Sequence, residues 1–216
     1  MSTSPNLRER VLQSVSEVPA RTQRETVRAR AWLVGCGIVG ALVIFFAKGG
    51  VRPTARSPLL IALTSAGTAV IVGLGMWLIF TRGRSMLGRP RVWVALAAVG
   101  CSLGFIAWRF GISAAYGLTA PWAGRVGFRC LSLSIATGAL PLFAALITWR
   151  HTEPLTPKAT GAAFGAGAGL ASAVLVDLWC PVSYLPHLLL GHLLPIAILA
   201  GVGALVGGRL LRLWRR

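Results

Sequence analysis

Residues 59–80 read LLIALTSAGTAVIVGLGMWLIF, a run without a charged side chain. About twenty predominantly apolar residues carry a helix across the roughly 30 Å hydrocarbon layer of a bilayer. Working outward from that run, comparable stretches lie at 31–47, 92–108, 130–149, 159–178 and 185–208. None alternates apolar and polar residues as a barrel strand does, and backbone groups in lipid must be bonded within their own segment. The pattern predicts an all-α polytopic membrane protein with six transmembrane helices. Composition agrees: of 216 residues, 55% are hydrophobic and 12% charged, and the mean hydropathy is +0.71. A chain with 22 Lys and Arg and 5 acidic residues cannot give a soluble globule of this size its polar surface.

The net charge of +17 raises a nucleic-acid reading, which the placement of the charge argues against. Arginines cluster at the borders of the apolar runs, with no aromatic-interleaved basic stripe, as anchors facing anionic lipid do. No direct nucleic-acid partner is expected. Sixteen of the Lys and Arg fall before the first run, between the second and third, between the fourth and fifth, and after the sixth. The alternate segments hold Lys48, Arg52, Arg56, Arg109, Arg125 and Arg129. This asymmetry places both termini in the cytoplasm. No removable signal peptide is expected, because no small-residue cleavage site follows the first apolar run.

Three regions follow: a cytosolic segment 1–30, a six-helix membrane domain 31–208, and a basic cytosolic tail 209–216. Within the first, residues 4–18 have the pattern of a short amphipathic helix. Ser4 is a capping residue, Pro5 suits the first turn, and Leu7, Val11, Leu12 and Val15 recur at helical spacing. Such a stripe lies on the membrane surface or docks in a partner's groove. In the fifth and sixth runs, Gly161, Gly165, Gly169, Gly203 and Gly207 are spaced by four, which lets helix backbones approach closely. Gly35-Cys36-Gly37 reads as packing rather than a phosphate loop, since no strand precedes it.

Polar residues in or beside spans are the default functional candidates. Asp177 is the sole acid within a predicted span, and Arg125 or Arg129 is its expected partner. Cys180 follows at the same end of the fifth span, and Cys130 opens the fourth at equal depth, on the side where a disulfide would persist. Cys130, Cys180, His187 and His192 form a chemically sensible ligand set for a soft or borderline metal ion. However, His187 and His192 are five apart rather than four, so sharing one face requires the helix to start between them or to distort. Cys36 and Cys101 read as small buried hydrophobes, and His151 as a solvated loop residue. No C-x-x-C pair occurs.

The string LWCPVSYLPHLLLGHLLP at 178–195, with Arg129-Cys130 before it and a Gly-rich run and basic end after it, resembles the signature of the NrsF-like integral-membrane anti-sigma factors of bacteria. The CarR type of membrane anti-sigma factor is similar in size and layout. Gly191 departs from the NrsF-like pattern, where an aromatic residue is expected before the histidine. The resemblance implies a non-enzymatic regulator of the bacterial inner membrane. It would hold an extracytoplasmic-function sigma factor through its amino-terminal segment and release it on an oxidative or metal-related envelope signal. It further implies that Cys130 and Cys180 are sensors, with His192 in support, and that no resident cofactor is needed, a metal ion entering only as signal. The stripe Leu7, Val11, Leu12 and Val15 is the expected sigma-docking face, from its periodicity. Two rival classes are a small transporter or channel, for which midspan polarity is sparse and no internal repeat is evident, and a membrane thiol oxidoreductase using Cys130 and Cys180.

Overall fold

A computed structural model describes residues 23–50, 57–80, 91–120, 124, 126–150 and 156–211. All regular structure among these is helical: α1 Gln23–Ala47, α2 Pro58–Phe80, α3 Arg91–Ala115, α4 Phe128–Thr148, α5 Pro157–Trp179, α6 Leu185–Leu188, a π-helical turn Leu189–Leu193, and α7 Leu194–Leu210. The last three run on as one rod, so six helices are long and apolar enough to cross a membrane. The expected amphipathic helix at 4–18, its stripe Leu7, Val11, Leu12 and Val15, and His151 lie outside the described residues.

The spans alternate in direction. The Trp179 indole N–H donates to the Lys48 carbonyl (3.2 Å), joining the ends of α5 and α1. Ser65 near the start of α2 reaches Asp177 near the end of α5. The opposite face gathers the start of α5 and the end of α7, where a Cβ on Gly207 would stand 3.2 Å from the Pro157 carbonyl oxygen. Large apolar side chains such as Trp32, Phe46, Trp77, Trp93 and Leu205 point outward, as expected where lipid is the solvent. Hydroxyls within spans satisfy themselves on the preceding turn: Thr68 donates to the Thr64 carbonyl (2.8 Å), Ser102 to Ala98 (2.7 Å) and Thr137 to Leu133 (2.8 Å).

Helix α5 is the hub, packed against α2, α3, α4 and α7. Its tightest seam is with α7, because glycines face glycines. A Cβ on Gly161 would collide with the Gly203 carbonyl, one on Gly165 would stand 2.7 Å from Ala200 Cα, and one on Gly169 2.8 Å from Ile196 Cα. The four-residue glycine spacing thus acts as the sequence suggests, by bringing two backbones together where lipid supplies no hydrophobic drive. On the other side, α1 packs on α4 through Gly37, whose Cβ would lie 3.1 Å from the Leu140 carbonyl oxygen and from Pro141 Cα. That gives Gly37 the packing role expected of it. Cys36, by contrast, is exposed on the lipid-facing side of α1 rather than buried, and Cys101 is half-buried against α2 at Gly75.

The third span runs to Ala115, seven residues past its expected end at 108. Arg109 is therefore not an outer-loop cation. It is fully buried within α3.

Candidate functional site

The four residues proposed from the sequence meet. The ligand atoms of Cys130, Cys180, His187 and His192 all lie within 4.8 Å of one another, and all four residues are buried. They come from three elements whose ends converge on one face of the bundle.

Cys130 is placed by two glycines. Gly127 precedes α4 at φ 120, a left-handed conformation costly for any residue with a Cβ. A Cβ there would lie 3.3 Å from both the Gly191 nitrogen and the His187 carbonyl oxygen. Conversely, a Cβ on Gly191 would stand 3.0 Å from Cys130 Cβ. Gly191 therefore admits the start of α4 against the π-turn. The aromatic expected at this position would fill the space where Cys130 now sits.

Cys180 caps α5 in an extended conformation, with its N–H donating to the Val176 carbonyl (2.8 Å). Pro181 follows; a proline disfavours helical geometry in the residue before it, which turns the chain out of α5 here. The Cys180 sulfur lies 3.1 Å from His187 Nε2 and 3.7 Å from the Val182 carbonyl oxygen. Lying between the fifth and sixth spans, this thiol is held well below its ordinary range. The hydrogen bond with the Cys130 side chain is the main cause; burial opposes it, and His187 and His192 add to the lowering. Thiolate is the ligand and nucleophile form of cysteine.

The two histidines share a face because the helix distorts. An α-helix overlays residues four apart, whereas i→i+5 bonding overlays residues five apart. The π-turn Leu189–Leu193 follows His187 and contains His192, and it brings their ring centroids to 5.8 Å. Its cause is local. Pro195 has no N–H to give the Gly191 carbonyl, and its ring crowds that oxygen. Ser134 of α4 donates to it instead (3.3 Å). His192 is 1% exposed, its ring 5.9 Å from that of Phe105, and it lies close enough to Cys180 to lower that thiol.

Asp177 is also paired, but not with Arg125 or Arg129. Arg125 is outside the described residues and Arg129 is exposed. Its partner is Arg109: Nε lies 2.7 Å from Asp177 Oδ1, with both side chains fully buried. Ser65 donates to the other carboxylate oxygen (3.2 Å), and Arg109 Nη2 donates to the Cys180 carbonyl (2.9 Å). Reading the third span to 108 hid this residue. Its signal was the apolar run FGISAA at 110–115, which makes Arg109 an intramembrane cation in need of a buried acid.

A cavity of ≈ 420 Å³ opens at this face, lined among others by Gly127, Arg129, Cys130, Cys180 and His187. Both thiols and one imidazole border it, so a small solute has a route to them. Cys130 and Cys180 are close without being joined by a disulfide.

The arrangement is two sulfurs and two imidazoles around one point, the donor set of tetrahedral zinc or other thiophilic ions. With bonds of about 2.0–2.3 Å, tetrahedral ligand atoms stand about 3.3–3.8 Å apart. Cys180 and His187 already stand at 3.1 Å, and the widest pair, at up to 4.8 Å, must close by up to about 1 Å around an ion. Residues 15–214 match the family model NrsF, negative regulator of sigma F. The chain belongs to the NrsF family. No curated protein and no solved structure matches it. NrsF is a family of sigma-factor regulators, not of enzymes, so the cluster belongs to a member of a regulator family.

Proposed function

We propose that this NrsF-family chain is an inner-membrane anti-sigma factor with both termini in the cytoplasm. Its amino-terminal segment holds an extracytoplasmic-function sigma factor, and a thiophilic metal ion at Cys130, Cys180, His187 and His192 triggers release. The observation that carries this reading is the convergence of the four buried ligands from three helix ends. A purely oxidative sensor would use the imidazoles only to favour the Cys180 thiolate, whereas a metal ion takes all four side chains as ligands.

The transmission follows from packing. Glycine contacts lock α5 to α7, so contraction of the site is expressed by α4, which carries Cys130. Helix α1 rides on α4 at Gly37 and continues at its other end into the amino-terminal segment. A signal shifts the sigma-bound population only through its unequal affinity for the two states. Here the inequality is the roughly 1 Å of contraction. The described part of α1 starts at Gln23, so a deletion that leaves it intact ends at residue 22. Deleting residues 1–22 should move sigma from the membrane to the soluble fraction; sigma that stays with the membrane rules out the docking assignment. Cys130→Ser and Cys180→Ser should each abolish cadmium induction of a sigma-dependent reporter. An unchanged dose response removes the thiols from the mechanism.

A further inference from the structure

The ligand cluster explains how a signal enters, but not why closure should move α4 instead of Cys180. Cys180 sits at the end of α5, in the extended link 180–184 that joins two spans, and a link without helical bonding is the softer member of the pair. One side chain stiffens it. Arg109 is fully buried and uses Nη2 on the Cys180 carbonyl and Nε on Asp177, one helical turn before Cys180 on α5. Asp177 is held in turn by Ser65 of α2. The backbone carrying the thiol is thereby tied to α2, α3 and α5 at once.

Guanidinium is suited to this in a way ammonium is not. Its donors sit in a rigid planar fork, so two acceptors are fixed relative to each other, while a lysine offers one point charge on a flexible stem. We infer that Arg109 is a positioning residue of the sensor: by clamping the Cys180 carbonyl to Asp177 it makes Cys180 the fixed jaw and leaves Cys130, with α4, as the moving one. This rests on the ligand reading given above. Without the clamp a metal ion still binds, but the link 180–184 yields to it and the contraction never reaches α4.

The test uses full-length protein in lipid nanodiscs with its co-purifying sigma factor, and cadmium as probe. Two readouts are followed. One is site occupancy, from sulfur-to-cadmium charge-transfer absorbance and protection of Cys130 and Cys180 from alkylation. The other is sigma retained on the nanodiscs. Arg109→Lys keeps a cation beside Asp177 but cannot span both acceptors. It is expected to bind cadmium as the unaltered protein does, yet to need about tenfold more for half-release, the scale on which coupling residues act. The neutral pair Arg109→Gln with Asp177→Asn removes the buried charges together and is expected to behave alike. Release at the unaltered cadmium dose overturns the proposal. So does loss of cadmium binding in Arg109→Lys, which makes Arg109 part of building the site, and so does loss of sigma retention without cadmium in both variants. If the unaltered protein itself takes up no cadmium at the thiols, the ligand reading falls, and the clamp with it.

Discussion

Gly191 shows how much one missing side chain decides. It stands where the resemblance leads one to expect an aromatic ring, and its bare Cα lets Cys130 approach the helical segment that carries both histidines. Gly191→Ala adds a methyl 3.0 Å from Cys130 Cβ, closer than side chains normally pack. Overpacking of this kind costs about 1–3 kcal/mol, and here the strain falls on the site's geometry. The expected outcome is a folded protein whose cadmium affinity drops about tenfold in a titration; unchanged affinity means the two helix ends are not in register as described. At the same scale, Asp177 was legible as a buried acid needing a cation, while its partner was not. Arg109 sits just past the end assigned to an apolar run, and a window average treats a single arginine as a boundary. Only the apolar residues beyond it place it within the span. Breaking such a pair from one side alone leaves an uncompensated buried charge, a loss of about 3–5 kcal/mol.

Among the elements, the π-turn is the one whose need was readable but whose form was not. Five-residue spacing between His187 and His192 requires a distortion if both are to face one site, and Pro195 offers a reason for it. The donor that stabilises it, Ser134, lies 57 residues away in sequence, beyond the reach of any local pattern. A π-turn amounts to one residue inserted into an α-helix, which yields a sharp test. Deleting Leu189, a lipid-exposed residue of the turn, restores four-residue spacing between the histidines in a regular helix. The shortened protein should still bind cadmium, within about tenfold of the original, because i,i+4 residues are neighbours on a helix face. Deletion of a residue from the middle of α7, such as Ala204, rotates the rest of that helix and should destroy the glycine seam. If both deletions are equally damaging in thermal unfolding followed by circular dichroism, the turn is not acting as an insertion.

For the molecule as a whole, the number of spans and the glycine seam were legible, because hydrocarbon thickness and close backbone contact write simple patterns into a sequence. Which helices pair with which was not, apart from that seam. Gly37 against Pro141, or the Trp179 indole on Lys48, joins residues that share no local signal. The seam is also where the fold is least tolerant. Gly165→Val would put a branched side chain into the Leu199 carbonyl and Ala200 Cα, separating α5 from α7. The expected result is a lowered thermal midpoint in detergent and loss of sigma retention even without metal; a midpoint within a degree or two of the original excludes close packing there. The contact at Gly37 has a further consequence for α1. From Gly37 to Lys48 the rod spans about 16 Å, and from Gly37 back to Gln23 about 21 Å, at 1.5 Å per residue. The rod is held at Lys48 by the Trp179 indole, at Phe45 in a buried cluster with Cys130, and at Gly37 on α4. A shift of α4 at the Lys48 end is therefore carried to the Gln23 end along one stiff helix.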